Sequence, residues 1–83
     1  MKHQAYSVYD SKAKFFSHPF YCQNDEIAIR NFTQAASDPA TQLCKFPADF
    51  SLFHIGNYDD EIGLLTSIPH QNLGLASQFK TPE

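Results

Sequence analysis

The chain lacks long apolar runs and is poor in cysteine and glycine. No run of consecutive apolar residues exceeds three, which excludes a membrane-spanning helix and the apolar segment of a signal peptide. Cys22 and Cys44 form no C-x-x-C pair, a pattern typical of two reduced thiols in a cytoplasm. We therefore expect the protein to stay in the compartment where it is made, away from membranes.

Motifs for catalysis and metal binding are also missing. The three glycines form no phosphate-binding loop, and the serines form no nucleophile elbow. His18 and Cys22 have the spacing of a helical zinc-ligand pair, but Pro19 separates them and no second pair completes a site. The acids at residues 59–61 are consecutive, which favours a solvated turn over a cation site. We expect no enzyme activity, no metal and no cofactor.

The size of the chain predicts one domain, residues 1–83, with a frayed tail at 79–83. Its hydrophobic content of 42% is that of a folded protein. A single core of this size supplies only about 3–5 kcal/mol, so self-association is an expected source of further stability. We therefore expect a homo-oligomer.

Periodicity and turn signals predict an α+β fold of order β-α-β-β. The fold would be a small three-stranded, largely antiparallel sheet with one main helix on one face. The first strand is predicted at residues 4–10 and the helix at 25–37, with Asn24 as its cap and Asp38-Pro39 at its end. A helical turn at Pro47, a hairpin with strands at 51–58 and 61–67, and a helical turn at 71–76 complete the prediction.

The stretch "SKAKFFSHPFYCQN", residues 11–24, has neither helical nor strand periodicity and is predicted to be a long connection. It combines four aromatic rings with two lysines and a histidine. Leaving its phenylalanines out of so small a core would cost several kcal/mol of burial, so we expect Phe15 and Phe20 to fold back into the core. The exposed remainder would be Lys12, Lys14, Phe16, His18 and Tyr21.

The predicted sheet has apolar residues on both faces. Strict alternation on the middle strand places Phe53 and Ile55 on one face, and Phe50, Leu52 and Tyr58 on the other. A single helix covers only one face. The uncovered face is predicted to carry Tyr9, Leu52 and Leu65 and to be covered by the aromatic stretch, by a second subunit or by a ligand.

Charge is distributed unevenly over a chain whose net charge is −3. Residues 1–22 have a balance of +2, whereas residues 46–83 have a balance of −4. Single-stranded nucleic acid is bound by rings that stack on bases and by cations that meet phosphates, and the amino-terminal region offers both. The candidate nucleic-acid-binding residues are Lys2, Lys12, Lys14, Arg30 and Lys45 for phosphates, and Phe16, His18 and Tyr21 for stacking or bridging.

Ordered segments along the chain resemble the small nonstructural protein of gokushovirus-type microviruses, which are phages with circular single-stranded DNA. The segments are "SVYDSKA" (7–13), "PF" (19–20), "AIRNF" (28–32), "DP" (38–39), "FSLFHIGNYDDEIG" (50–63) and "LGLA" (73–76). The resemblance implies a nonstructural role in the cytoplasm of an infected bacterium. It further implies DNA binding or help in single-stranded genome synthesis and packaging.

Two function classes follow. In the first, the chain is a phage accessory protein that binds single-stranded DNA and assists its synthesis or packaging. In the second, it is a protein-interaction module that binds a viral or host replication or packaging protein through the uncovered sheet face. The acidic second half of the chain favours the second class, and the basic aromatic stretch favours the first.

Overall fold

The computed structural model describes residues 2–79. The elements in chain order are β1 (Lys2–Asp10), β2 (Phe15–Phe16), β3 (Phe20–Cys22), α1 (Asp25–Ser37), α2 (Gln42–Lys45), a 3-10 helix (Pro47–Asp49), β4 (Phe50–Asp59), β5 (Leu64–Leu75) and α3 (Ala76–Phe79). All five strands join one antiparallel sheet. The α+β class is confirmed. The three-stranded sheet and the β-α-β-β order are wrong, because two further strands precede the helix.

The stretch predicted as a long connection is a tight turn followed by a strand in two pieces. The Asp10 carboxylate accepts hydrogen bonds from the backbone N–H groups of Lys12 and Ala13, at 3.0 and 3.2 Å. Lys14 closes the turn with a φ of 62°. Strands β2 and β3 then pair with β1 in succession, and the interruption between them contains Pro19, which has no N–H to donate. This interruption conceals the strand pattern in the sequence.

Strand β1 lies inside the sheet, with β2 and β3 along one side and β4 along the other; β5 lies outside β4. In this register Tyr6 has Phe20 and His54 as its cross-strand partners. The Tyr6 ring stacks on both, with centroid separations of 5.8 Å to Phe20 and 5.0 Å to His54. Phe20 therefore packs against the core, as predicted, whereas Phe15 is 60% exposed and does not.

Helix α1 has the predicted bounds. The side chain of Asn24 accepts a hydrogen bond of 2.9 Å from the backbone N–H of Ile27, which satisfies one of the free donors of the first turn. Asp25 and Glu26 follow, where the positive end of the helix dipole favours acidic residues. The buried stripe consists of Ala28, Phe32 and Ala36.

The core lies between this stripe and one face of the sheet. Tyr6 and Leu52 are fully buried there. The placement of Leu52 on the uncovered face is therefore wrong. Apolar residues occupy both faces of β4, so alternation alone does not decide which face meets the helix. The small side chains of Ala28 and Ala36 leave space beneath α1 that large side chains from the sheet fill.

A β-bulge in β4 changes which residues share a face. Ala5 is paired with Gly56 and Tyr6 with His54, so Ile55 is one residue more than β1 can pair. The extra residue reverses the alternation beyond it. Tyr58 therefore lies on the same face as Phe53 and Ile55, and its predicted grouping with Leu52 is wrong.

Strand β5 extends beyond the predicted end at residue 67 and continues to Leu75, where α3 begins. Pro69 is tolerated because the pairing with β4 is irregular between Ser67 and Gln71 and because β5 lies at an edge of the sheet. The helical turn predicted at 71–76 is found at Ala76–Phe79 instead. Residues 80–83 of the predicted frayed tail lie outside the described residues. No helix within residues 2–79 is long and apolar enough to cross a membrane.

Candidate ligand-binding face

The sheet face opposite α1, called the open face below, carries most of the aromatic rings outside the core. Tyr9 and Phe16 are cross-strand partners with ring centroids 4.7 Å apart. Phe16 also contacts Phe53 at 5.5 Å and His70 at 5.6 Å. These four residues form the aromatic cluster. Tyr21 and Tyr58 form a second ring pair on the same face, with centroids 5.8 Å apart.

The open face is accessible to a ligand. Phe16 exposes 40% of its surface, Tyr21 46% and Leu65 59%. Side chains of this size contribute strongly to binding when they are removed from water, and aromatic rings offer flat surfaces for stacking. The face therefore combines a large apolar surface with ring geometry.

A groove crosses the open face between the aromatic cluster and the Tyr21–Tyr58 pair. A row of cross-strand partners runs through Tyr21, Ala5, Gly56 and Ser67. Three of these four residues have small side chains or none, so the row forms a depression between neighbouring rows that carry larger side chains. The resulting cavity has a volume of about 260 Å³ and is bordered by Tyr21, Leu65 and His70, among others.

A polar network fixes the opposite face of the sheet to the start of α1. The Tyr6 hydroxyl donates a hydrogen bond of 2.7 Å to Asp25 Oδ1. His54 Nε2 lies 3.0 Å from the carbonyl oxygen of Gly56 and 2.8 Å from Gln4 Oε1. A backbone carbonyl only accepts, so Nε2 carries a hydrogen. His54 Nδ1 is buried, lies 3.7 Å from Asp25 Oδ1, and has no hydrogen-bond partner among the described residues.

Burial raises the pKa of the Tyr6 hydroxyl above its ordinary value, and both the hydrogen bond to Asp25 and the negative charge of that carboxylate raise it further. Tyr6 therefore remains a neutral donor over the physiological pH range. The Tyr6 hydroxyl links β1 to the start of α1, and the Tyr6 ring stacks on His54 of β4. Together these contacts hold the bulged strand β4 near the helix.

The charged residues of the strands and of the turns that join them lie at the two ends of the sheet. Lys12 and Lys14 are in the turn between β1 and β2, at one end. The acidic residues 59–61 span the last residue of β4 and the turn that follows it, at the other end, where Asp59 is paired with Lys2 and Asp60 accepts a hydrogen bond of 2.9 Å from His3. The two ends are separated by the nine residues of β1, about 30 Å. Among the described residues, the open face between these ends carries no lysine, arginine, aspartate or glutamate side chain.

A sequence profile of the family described as Phage ORF5 protein matches residues 3–79 of the chain. The chain belongs to this family. The match begins in β1 and ends with the last residue of α3, so it includes the open face, the groove and the polar network. The expectation of a bacteriophage protein is confirmed. Comparisons with curated proteins and with solved structures found no significant match.

The structure of this phage protein places the predicted nucleic-acid-binding residues in four separate regions. Phe16 and Tyr21 lie on the open face, and Lys12 and Lys14 lie at its end. His18 is exposed in the interruption between β2 and β3. Lys2 lies at the far end of β1, and both Arg30 on α1 and Lys45 on α2 belong to the helical layer. The eight residues therefore do not form one patch.

The open face also carries residues that are not among the predicted nucleic-acid-binding residues. Tyr9 and Leu65 lie on the open face, where they were expected, and their role stays a prediction. Phe53 shares the face of Tyr9 by ordinary alternation, whereas Tyr58 and His70 join them through the bulge and the irregular pairing of β5, which no local sequence signal indicates. Within residues 2–79, no three histidine, cysteine or acidic side chains are grouped so as to hold a metal ion.

Proposed function

We propose that this Phage ORF5 family protein is a nonenzymatic accessory protein that binds single-stranded DNA across the open face. It would assist the synthesis or packaging of single-stranded viral DNA in the cytoplasm of the infected bacterium, as the resemblance to gokushovirus-type microviruses implies. The observation that carries the proposal is the aromatic cluster, whose rings lie on an uncovered sheet face with Lys12 and Lys14 at its end.

Stacking is the main expected source of affinity. Each base that stacks on an aromatic side chain contributes about 1–3 kcal/mol, and the contact tolerates any base sequence because every base has a π-face. RNA-recognition domains bind single strands in a comparable way, on aromatic residues of an open antiparallel sheet. Lys12 and Lys14 would meet phosphates where the strand leaves the aromatic cluster.

The test compares two phenylalanine-to-alanine substitutions, one on the open face and one elsewhere on the surface. Binding of a fluorescent thymidine oligonucleotide is measured by anisotropy for the wild type, for Phe16→Ala and for Phe46→Ala. Phe46 is 54% exposed and lies between α2 and the 3-10 helix, off the open face. We expect a loss of about tenfold in affinity for Phe16→Ala and none for Phe46→Ala. Absence of binding by the wild type at low salt would refute the proposal.

The second candidate function is protein binding by the same face, either to another copy of the chain or to a viral or host partner. The specific observation in its favour is that, within residues 2–79, the open face between the two ends of the sheet carries no lysine, arginine, aspartate or glutamate. Phosphate neutralisation supplies most of the nonspecific affinity for nucleic acid, so a face without cations suits a protein partner better. If the face binds protein, Tyr9→Asp should disrupt assembly or partner binding, whereas substitution of Lys12 and Lys14 should leave both unchanged. Native mass measured with and without single-stranded DNA separates the two functions.

A further inference from the structure

We propose that the groove between Tyr21 and His70 is a pocket for one uncharged heteroaromatic ring, and that its occupant is a single base of the bound DNA strand. The inference rests on the proposed function and adds a defined site to it. Stacking on the aromatic cluster requires only an exposed ring and does not distinguish one flat ligand from another. The groove, in contrast, has a defined shape and lining, which can select a ligand by size and polarity.

The shape of the groove follows from the order of side-chain sizes across the sheet. Along the row of Tyr21, Ala5, Gly56 and Ser67, the side chain shrinks from a phenol to a methyl group and then to a hydrogen. The rows on either side carry the larger residues Tyr58 with Leu65, and Phe53. A flat ring fits such a slot better than a branched or globular group.

The lining determines the chemistry of the occupant. None of the described residues around the groove is a lysine, arginine, aspartate or glutamate, so a phosphate or another ionic group would lose its water there without gaining a permanent counter-charge. Apolar surface comes from Ile55 and Leu65, and the hydroxyl-bearing residue Ser67 lies at the β5 side. A hydroxyl both donates and accepts, which suits the mixed donor and acceptor edge of a base.

The floor of the groove is rigid before any ligand binds. A Cβ atom added to Gly56 would overlap the carbonyl oxygen of Thr66, which shows how closely the two strands approach. The carbonyl of Gly56 also accepts a hydrogen bond of 3.0 Å from His54 Nε2, which is anchored on the other face of the sheet. A preformed floor reduces the entropy that binding must otherwise remove.

The groove is continuous with the aromatic cluster. His70 borders the groove and contacts both Phe16 and Phe53, at centroid separations of 5.6 and 6.4 Å. A DNA strand stacked on the cluster therefore reaches the groove at the His70 side without leaving the open face. One nucleotide can then turn its base into the slot while its neighbours remain stacked.

The experiment fills the groove without touching the aromatic cluster. Ser67 is exposed on β5, and Ser67→Leu places a larger side chain in the low row; Ser77→Leu on α3, also exposed, is the matched control. The probe is a thymidine oligonucleotide with one 2-aminopurine, whose fluorescence is quenched by stacking. We expect quenching and full affinity for the wild type and for Ser77→Leu. For Ser67→Leu we expect loss of quenching and about tenfold weaker binding.

The outcomes separate the two proposals. Binding by the wild type with equal quenching and affinity for Ser67→Leu would overturn the groove as a base pocket and leave stacking on the aromatic cluster standing. Absence of any binding by the wild type would overturn both. A third measurement, the amide chemical shifts of Leu65 and Ser67 during dilution of the protein alone, identifies a second copy as the occupant. Concentration-dependent shifts there would also overturn the base pocket.

Discussion

Tyr6 and Asp25 are joined by a hydrogen bond of 2.7 Å, from a fully buried hydroxyl in the central part of the sheet to a carboxylate in the first turn of α1. Burial and the neighbouring carboxylate raise the pKa of Tyr6 above its ordinary value of 10.0. In the unfolded chain Tyr6 ionises near that value, but in the folded chain it stays neutral. Its stabilising contribution is therefore complete below pH 10 and is lost as the pH rises further.

Tyr6→Phe should lower the free energy of unfolding by about 1 kcal/mol near pH 7, because Asp25 loses its donor. The difference between wild type and variant should shrink as the pH rises above 10, since only the wild type carries the ionising hydroxyl. Urea unfolding at a series of pH values from 7 to about 11 measures both effects. A difference that stays constant over this range would contradict the assignment of the Tyr6 pKa.

Gly56→Ala should destabilise the β4–β5 pairing, because the added Cβ atom overlaps the backbone of Thr66. Overpacking of this kind lowers the free energy of unfolding by about 1–3 kcal/mol. Hydrogen exchange should also show faster exchange of the backbone amides in the neighbouring part of β5. Gly63→Ala is the control. Gly63 has a φ of 67° but no heavy atom near the position of a Cβ, so only the backbone strain of about 1 kcal/mol is expected. Equal effects at the two sites would refute the close approach.

Lys14→Gly should stabilise the turn between β1 and β2. Lys14 has a φ of 62°, a left-handed conformation that costs a residue with a Cβ atom about 1–2 kcal/mol and costs glycine little. Part of the gain is lost to the greater freedom of glycine in the unfolded chain, so the expected net increase is about 0.5–1 kcal/mol. Thermal unfolding measures it. Lys12→Gly, in the same turn and with the same loss of charge, should not stabilise the protein.

Leu52→Ala and Leu65→Ala test the two faces of the sheet with the same chemical change. Leu52 is fully buried beneath α1, so its truncation leaves a cavity and should cost about 2–5 kcal/mol. Leu65 is 59% exposed on the open face, so its truncation should change the free energy of unfolding by no more than about 0.5 kcal/mol. Urea unfolding of both variants decides the matter, and similar losses would mean that the open face is covered in solution.

The salt dependence of DNA binding should be shallow. If Lys12 and Lys14 are the only cations that neutralise phosphates, the slope of log K against log salt concentration is about −1.4 for a single strand. Replacing both lysines with alanine should bring the slope close to zero and leave stacking intact. Arg30→Ala removes the same charge from the helical layer and should leave the slope unchanged. A slope of about −4 or steeper would show that other cations take part.

The elements with strong local signals are those that the sequence predicts well. Helix α1 has a capping asparagine, acids in its first turn and a buried stripe with helical spacing, and its predicted bounds are those observed. Strands β2 and β3 have two and three residues, too few for alternation to be recognised. They exist because β1 offers an edge for pairing, which is a tertiary effect that overrides local preference.

The candidate site shows the same limit. Phe16 and Tyr21 could be singled out by composition, because rings and lysines are concentrated in one stretch. The contact of Tyr21 with Tyr58 depends on the bulge at Ile55, a single extra residue that places Tyr58 on the open face. A bulge is set by the fit between two strands, so the alternation of one strand does not reveal it.

At one end of the sheet Lys12 and Lys14 offset the charges of Asp10 and Asp49, whereas at the other end residues 59–61 outweigh Lys2, so the molecule has an electric dipole along β1. The field of a polyanion repels the acidic end more strongly than the other, so it turns the protein before any contact is made. A net charge of −3 slows the approach, but the dipole decides which end arrives first.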